Sequence, residues 1–167
     1  DLNAKALRCK VYIATLRLSV QNLFTMPTEN FSPKILVFST DKISDPGIDQ
    51  AGLRKLHYSP TVYVISLPCS SGIKPRWIMR AFEKGFDGVF IAADGHECSY
   101  SPKCAEHTNT IIVESQKMMK AKNINPKRIR MAALCSVCAE PFVSHMGNFS
   151  KILSELGSLG TEKYNPS

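Results

Sequence analysis

Four short apolar runs, each closed by turn residues and separated from the next by helical periodicity, constrain this chain more than any other feature. Lys34-Ile-Leu-Val-Phe-Ser39 is apolar without alternation, as a strand covered on both faces must be. Thr61-Val-Tyr-Val-Ile-Ser-Leu67 is rich in β-branched and aromatic residues, which suit a pleated surface. Gly88-Val-Phe-Ile-Ala-Ala93 is the third run, and residues 128–134 form the fourth. Between the first two, Ile48, Ala51, Leu53 and Leu56 carry a short helical pattern. Behind Pro75, which the first turn of a helix accepts, Trp77, Ile78, Ala81 and Phe82 form an apolar face. A helix predicted over 105–122 buries Ile111, Ile112, Met118 and Met119. The last, over 139–156, offers Phe142, Met146, Phe149, Ile152, Leu153 and Leu156, with Gly157 as its stop. Such alternation implies βαβ units: one α/β domain, a four-stranded parallel sheet with helices on both faces, and a flavodoxin-like or Rossmann-like strand order.

The chain of 167 residues suits one domain, expected over 33–158, with an N-terminal extension or arm at 1–32 and a short tail at 159–167. The arm carries Val11, Tyr12, Ile13, Leu16, Leu18, Leu23 and Phe24, then a linker-like Met26-Pro-Thr-Glu-Asn30. It is expected to pack on a neighbouring subunit. No run approaches 18 apolar residues and no long apolar leader is present, so the expectation is a cytoplasmic protein without a transmembrane segment. The formal net charge of +7 comes from basic residues spread along the sequence. Only Lys117-Lys120-Lys122 and Lys127-Arg128-Arg130 cluster, and no RNA- or DNA-binding motif accompanies them. A solvated basic face, or one that docks an acidic partner, accounts for the charge better than nucleic acid does.

Six cysteines in a chain without a secretion leader point to metal binding or redox work rather than a disulfide framework. Their positions carry more information than their number. Cys69 follows the second strand, Cys98 and Cys104 follow the third, and Cys135 and Cys138 follow the fourth; Cys9 stands apart. In a parallel sheet these loops all emerge at one edge, where open α/β sheets bind their ligands. Cys98, Cys104, Cys135 and Cys138 are therefore expected to converge on one metal, with Cys69 beside them as a fifth sulfur or a substitute ligand. The Cys135-Ser-Val-Cys138 spacing lets two thiolates reach one ion. Soft thiolates select zinc or an iron–sulfur cluster, and the spacing does not separate the two. His96 and His107 flank the loop after the third strand as further candidates. A redox disulfide at Cys135–Cys138, placed before a helix, is the other chemistry open to that pair. Other motifs are missing: there is no G-x-G-x-x-G after the first strand, no phosphate-binding P-loop and no nucleophile elbow. Cys98 with His96 lacks a third, orienting group. Asp41, Asp45 and Asp49 are read as turn and capping residues.

Several segments resemble the delta subunit of methyl-viologen-reducing hydrogenase: Pro33 to Ser39, Gly47-Ile-Asp-Gln-Ala-Gly-Leu53, Leu67-Pro-Cys-Ser70, Ala81-Phe-Glu-Lys-Gly-Phe-Asp-Gly-Val89 and Ile124 to Met131. The resemblance spans about 33–158 and implies a small iron–sulfur protein with a [2Fe–2S] cluster. Such a protein relays electrons between a hydrogenase or dehydrogenase module and a heterodisulfide-reductase-type flavoprotein, in a hetero-oligomeric complex of an anaerobe. Cys69 and Cys98 match family cysteines. The C-x-x-C that the family carries after its first strand is matched here by Thr40 and Ile43, and Cys135 and Cys138 look like additions. The alternatives are an assembly or docking subunit with a structural zinc or no metal, and a thiol–disulfide redox protein.

Overall fold

A computed structural model describes residues 31–94, 98 and 100–161. Residues 1–30, which hold Cys9 and nearly all of the expected arm, lie outside the described residues, as do His96 and 162–167. The chain runs β1 (Ile35–Thr40), α1 (Ser44–Leu53), β2 (Val62–Leu67), α2 (Pro75–Glu83), β3 (Gly88–Ala93), α3 (Cys104–Ala121), β4 (Ile129–Ala133) and α4 (Ala139–Leu156). Short 3₁₀ turns at Ser70–Gly72 and Pro126–Arg128 precede α2 and β4. All three strand pairings are parallel, in the order β2-β1-β3-β4. The α/β class and the parallel sheet are those that the strand–helix alternation implies, and of the two orders it leaves open, flavodoxin-like and Rossmann-like, the strands take the flavodoxin type.

The period of two along each strand sorts the core into two layers. Ile35, Val37, Phe90 and Ala92 face α1 and α4, where Ile48, Ala51, Phe142, Met146, Phe149 and Leu153 cover them. Leu36, Phe38, Val89 and Ile91 face the other way, against Ile78, Ala81 and Phe82 of α2 and Met119 of α3. β1 and β3 are buried along their whole length. Among the described residues β2 is an edge strand: Tyr63, Val64 and Ile65 are 49%, 37% and 46% exposed. Three apolar side chains of the expected helical patterns stand at the surface, Leu53 at the end of α1 among them. Met118 is exposed and Met119 is the buried one, because a step of one residue turns a helix by about 100°. Trp77 is also exposed, on the rim of an apolar groove of about 390 Å³ between α2 and β2, which Phe38, Ile65, Leu67 and Phe86 line.

Arg128, expected at the head of the fourth strand within a basic cluster, is instead wholly buried in the turn before β4. Its guanidinium donates to the carbonyl of Asp87 at 3.0 Å and to that of Gly157 at 2.8 Å, with Ser158 at 3.4 Å. Gly157, at φ 75°, ends α4 in the left-handed region where glycine is favoured. Asp87 ties the same corner from its side chain, accepting from the Lys34 and Leu159 amides. Gly88, at the start of β3, has no room for a side chain: a Cβ there would lie 2.6 Å from Leu153 and 2.8 Å from Phe149. Gly88→Ala should therefore push α4 off the sheet and cost about 1–3 kcal/mol, read as a lower urea midpoint with an unchanged slope.

Candidate metal centre

Three cysteines meet at the carboxyl edge of the sheet. Pro68 turns the chain out of β2, so that Cys69 stands at the mouth of the Ser70–Gly72 turn. Cys98 sits on the loop after β3, and Cys104 opens α3. Their sulfurs lie within 4.8 Å of one another, with Cys69 Sγ 3.2 Å from Cys104 Sγ and 3.9 Å from Cys98 Sγ. A tetrahedral ion with metal–sulfur bonds of about 2.3 Å spaces its sulfurs about 3.8 Å apart, so the group is close to metal-binding geometry. Cys98 and Cys104 are buried and Cys69 is half-buried.

Hydroxyls surround the sulfurs. Ser71 Oγ lies 3.0 Å from Cys69 Sγ, and Ser70 Oγ lies 3.3 Å from Cys104 Sγ. Ser70 also meets Thr108 Oγ1 at 3.0 Å, which donates back to the Cys104 carbonyl one helical turn earlier. Burial pushes the Cys104 thiol up, but hydrogen bonds from Ser70, Cys69, the Ser71 backbone and Cys98 outweigh it and bring the thiol down to about 7. Burial and the neighbouring Cys104 push Cys69 up, against the opposing pull of Ser71. Cys104 is thus the first of the two to ionise. In the metal-free chain, thiolate absorbance should rise through a midpoint near 7, and Ser70→Ala should move that midpoint upward. The sign for stability follows from a folded value below the ordinary 9.0. The Cys104 contribution is complete above pH 9, declines as the pH falls, and is gone below about 7.

The site extends to the point between β1 and β3 where the strand order reverses, the usual crevice of such sheets. Thr40, the last residue of β1, donates its hydroxyl to the buried carboxyl of Asp94, just after β3. Burial raises Asp94 above the usual carboxylate range, against hydrogen bonds from Thr40 and the Cys98 thiol, and Asp41 adds to the rise. Ser44, at the start of α1, is 2.9 Å from Thr40 Oγ1 and donates to the Ala92 carbonyl. A hydroxyl–carboxyl chain thereby reaches from β1 to Cys98. In the sequence Thr40 is legible only as the place of an absent family cysteine; its link to Asp94, 54 residues away, leaves no trace in spacing.

The four sulfurs expected on one ion are divided. Cys98 and Cys104 join Cys69, whereas Cys135 and Cys138 are bonded to each other as a disulfide before α4. The reason is local. The Cys138 amide donates to the Cys135 carbonyl, closing a tight turn that places the two sulfurs side by side. His107 is exposed on α3 and outside the three-thiol group. Among the described residues, the group offers three soft donors, one of them ionised near neutrality. Those donors fit a thiophilic metal as three of its ligands.

The fold and this edge define a parallel α/β domain with a thiol-lined centre beside its strand-order reversal. The chain belongs to the family described as methyl-viologen-reducing hydrogenase, delta subunit, which it matches over residues 35–157. It is 41% identical over 63 residues to an iron-sulfur subunit of the vhc F420-non-reducing hydrogenase of Methanococcus voltae; that match covers 38% of this chain and 44% of the relative. It is 28% identical over 131 residues to one subunit of the ferredoxin:CoB-CoM heterodisulfide reductase of Methanosarcina mazei, covering 78% of this chain and 16% of that protein. The chain thus spans less than half the length of these two relatives. An iron-sulfur subunit of the F420-non-reducing hydrogenase of Archaeoglobus profundus is 25% identical over 140 residues, 81% of this chain and 99% of that protein. No helix among the described residues is long and apolar enough to cross a membrane.

Proposed function

We propose that the protein is a non-catalytic electron-transfer subunit of an oxidoreductase complex. It would hold an iron–sulfur cluster with ligands drawn from Cys69, Cys98 and Cys104 and a further donor, of the [2Fe–2S] type that the family resemblance implies. The convergence of these three thiols is the observation that carries the reading. The cluster would supply one-electron redox chemistry. The chain's own residues have distinct tasks. Cys104 provides a sulfur that is ionised near neutrality, and Ser70, Ser71 and Thr108 supply hydroxyls around the sulfurs. Such second-layer hydrogen bonds orient metal ligands and tune them.

The relay role is supported by how the domain occurs in its relatives. It accounts for almost all of a hydrogenase iron–sulfur protein, and for a small part of a heterodisulfide reductase polypeptide. A domain that works both as a separate chain and fused to a reductase polypeptide suits a connector between them. The proposed partners are therefore a hydrogenase or dehydrogenase module and a heterodisulfide-reductase-type flavoprotein, in a cytoplasmic hetero-oligomer. Anaerobic purification should yield a brown protein with iron and acid-labile sulfide in equal amounts and a signal in electron paramagnetic resonance on reduction. Zinc without sulfide would instead establish the docking subunit with a structural metal.

A further inference from the structure

We propose that Cys135 and Cys138 form a second redox site, a dithiol–disulfide couple that exchanges electron pairs with a dithiol on a partner protein. The inference does not depend on what the other three cysteines bind.

Three observations converge on it. First, the bridge joins residues only three apart in sequence. The stabilisation expected from a disulfide grows with the loop it closes, so this one contributes least as a staple. Second, the loop is held without it. Leu134 donates to the Ala93 carbonyl of β3, Cys138 to the Cys135 carbonyl, and Phe142 to the Cys138 carbonyl. On the far side, Gly47 of α1 approaches so closely that a Cβ there would lie 2.5 Å from the Cys135 carbonyl oxygen. The bond can therefore open while the backbone keeps its place. Third, the pair is reachable: both cysteines are half-buried, and Ser136 and Val137 between them are exposed, Val137 at 63%.

The arrangement also selects a leaving group. Cys138 stands at the N-cap position of α4, where the helix dipole favours negative charge and lowers the cost of a thiolate. In the exchange, a partner thiolate attacks Cys135 Sγ. A partner–Cys135 bond forms, the Cys135–Cys138 bond breaks, and Cys138 leaves as the thiolate. The partner's second thiolate then attacks its own sulfur in the mixed disulfide and releases Cys135. The partner dithiol ends as a disulfide, and its two protons end on Cys135 and Cys138. Two electrons and two protons have moved, and no other oxidant or reductant is required.

The test uses the full chain, oxidised, with a reduced thioredoxin as the dithiol probe. Cysteines are alkylated at intervals and assigned peptide by peptide by mass. The expected result is that Cys135 and Cys138 gain alkyl groups together, at a tenfold excess of probe, while circular dichroism keeps its folded spectrum. A graded series of reduced and oxidised probe should trace one two-electron transition, with the ratio of reduced to oxidised pair changing tenfold for each tenfold change in the probe's ratio. Reduction only after denaturant is added would overturn the proposal, leaving a purely structural bridge. Iron or zinc retained on Cys135 and Cys138 in the folded chain would overturn it as well. Neither result bears on metal at Cys69, Cys98 and Cys104.

Discussion

Cys104→Ser should leave a folded chain that carries less than a tenth of the parent's iron. Cys104 opens α3 with 1% exposure, and its sulfur lies within hydrogen-bonding distance of both Cys69 and Ser70. A serine fills nearly the same volume and keeps a donor for Ser70, so the local packing survives. What is lost is the sulfur that ionises near neutrality, and a neutral hydroxyl is a poor ligand for a soft metal. Cys69→Ser should do the same. Ser70→Ala should have a smaller effect of about tenfold on metal affinity, the size expected when a hydrogen bond to a ligand is removed. Metal and sulfide analysis of anaerobically purified variants, beside their circular dichroism, makes the measurement. Full iron in Cys104→Ser would place the cluster elsewhere.

Arg128→Met should cost about 3–5 kcal/mol, since it keeps the apolar stem and removes the guanidinium. Two carbonyls lose charged donors: that of Asp87, at 3.0 Å and buried, and that of Gly157, at 2.8 Å and half-buried. Each such bond is worth about 1.5–3 kcal/mol, and a buried carbonyl left without a partner adds its own desolvation cost. For a domain of this size the melting temperature should fall by about 10 °C or more. Arg128→Lys would recover only part of the loss, because an ammonium is a point charge without the planar fork that reaches two carbonyls at once. Iron content per folded molecule should not change, which separates this corner from the metal centre.

These two residues mark where the sequence is informative and where it is silent. The β–α alternation carries the fold, because an all-parallel sheet needs a crossover between consecutive strands and writes that need into every segment. The cysteine positions carry the edge of the sheet for the same reason. Which sulfurs share a centre is not legible. Cys69 reaches Cys104 through the turn at Ser70–Gly72, and Cys135 turns back on Cys138 through one backbone hydrogen bond. Both outcomes depend on loop conformation, which has no periodicity to read. Arg128 is hidden differently. Beside Lys127 and Arg130 it looks like one more surface cation, and only the carbonyls at the end of α4 explain its burial. Thr40 and Asp94 are further apart still, brought within one hydrogen bond only because β1 pairs with β3.

The edge of β2, unpaired among the described residues, has a colloidal consequence. Its inner side is paired with β1, while its outer backbone lies along Tyr63, Val64 and Ile65, with no charged residue from Val62 to Leu67. Such an edge is a template for another strand, and only Pro60 and Pro68 bracket its length. The opposing force is the net charge of +7, which keeps copies of the chain apart. That repulsion acts over about 30 Å at 0.01 M ionic strength but only about 3 Å at 1 M, while attraction between apolar edges is undiminished by salt. Purified alone, the chain should therefore be better dispersed in dilute buffer than in concentrated salt, the reverse of what is expected for proteins held together by ion pairs.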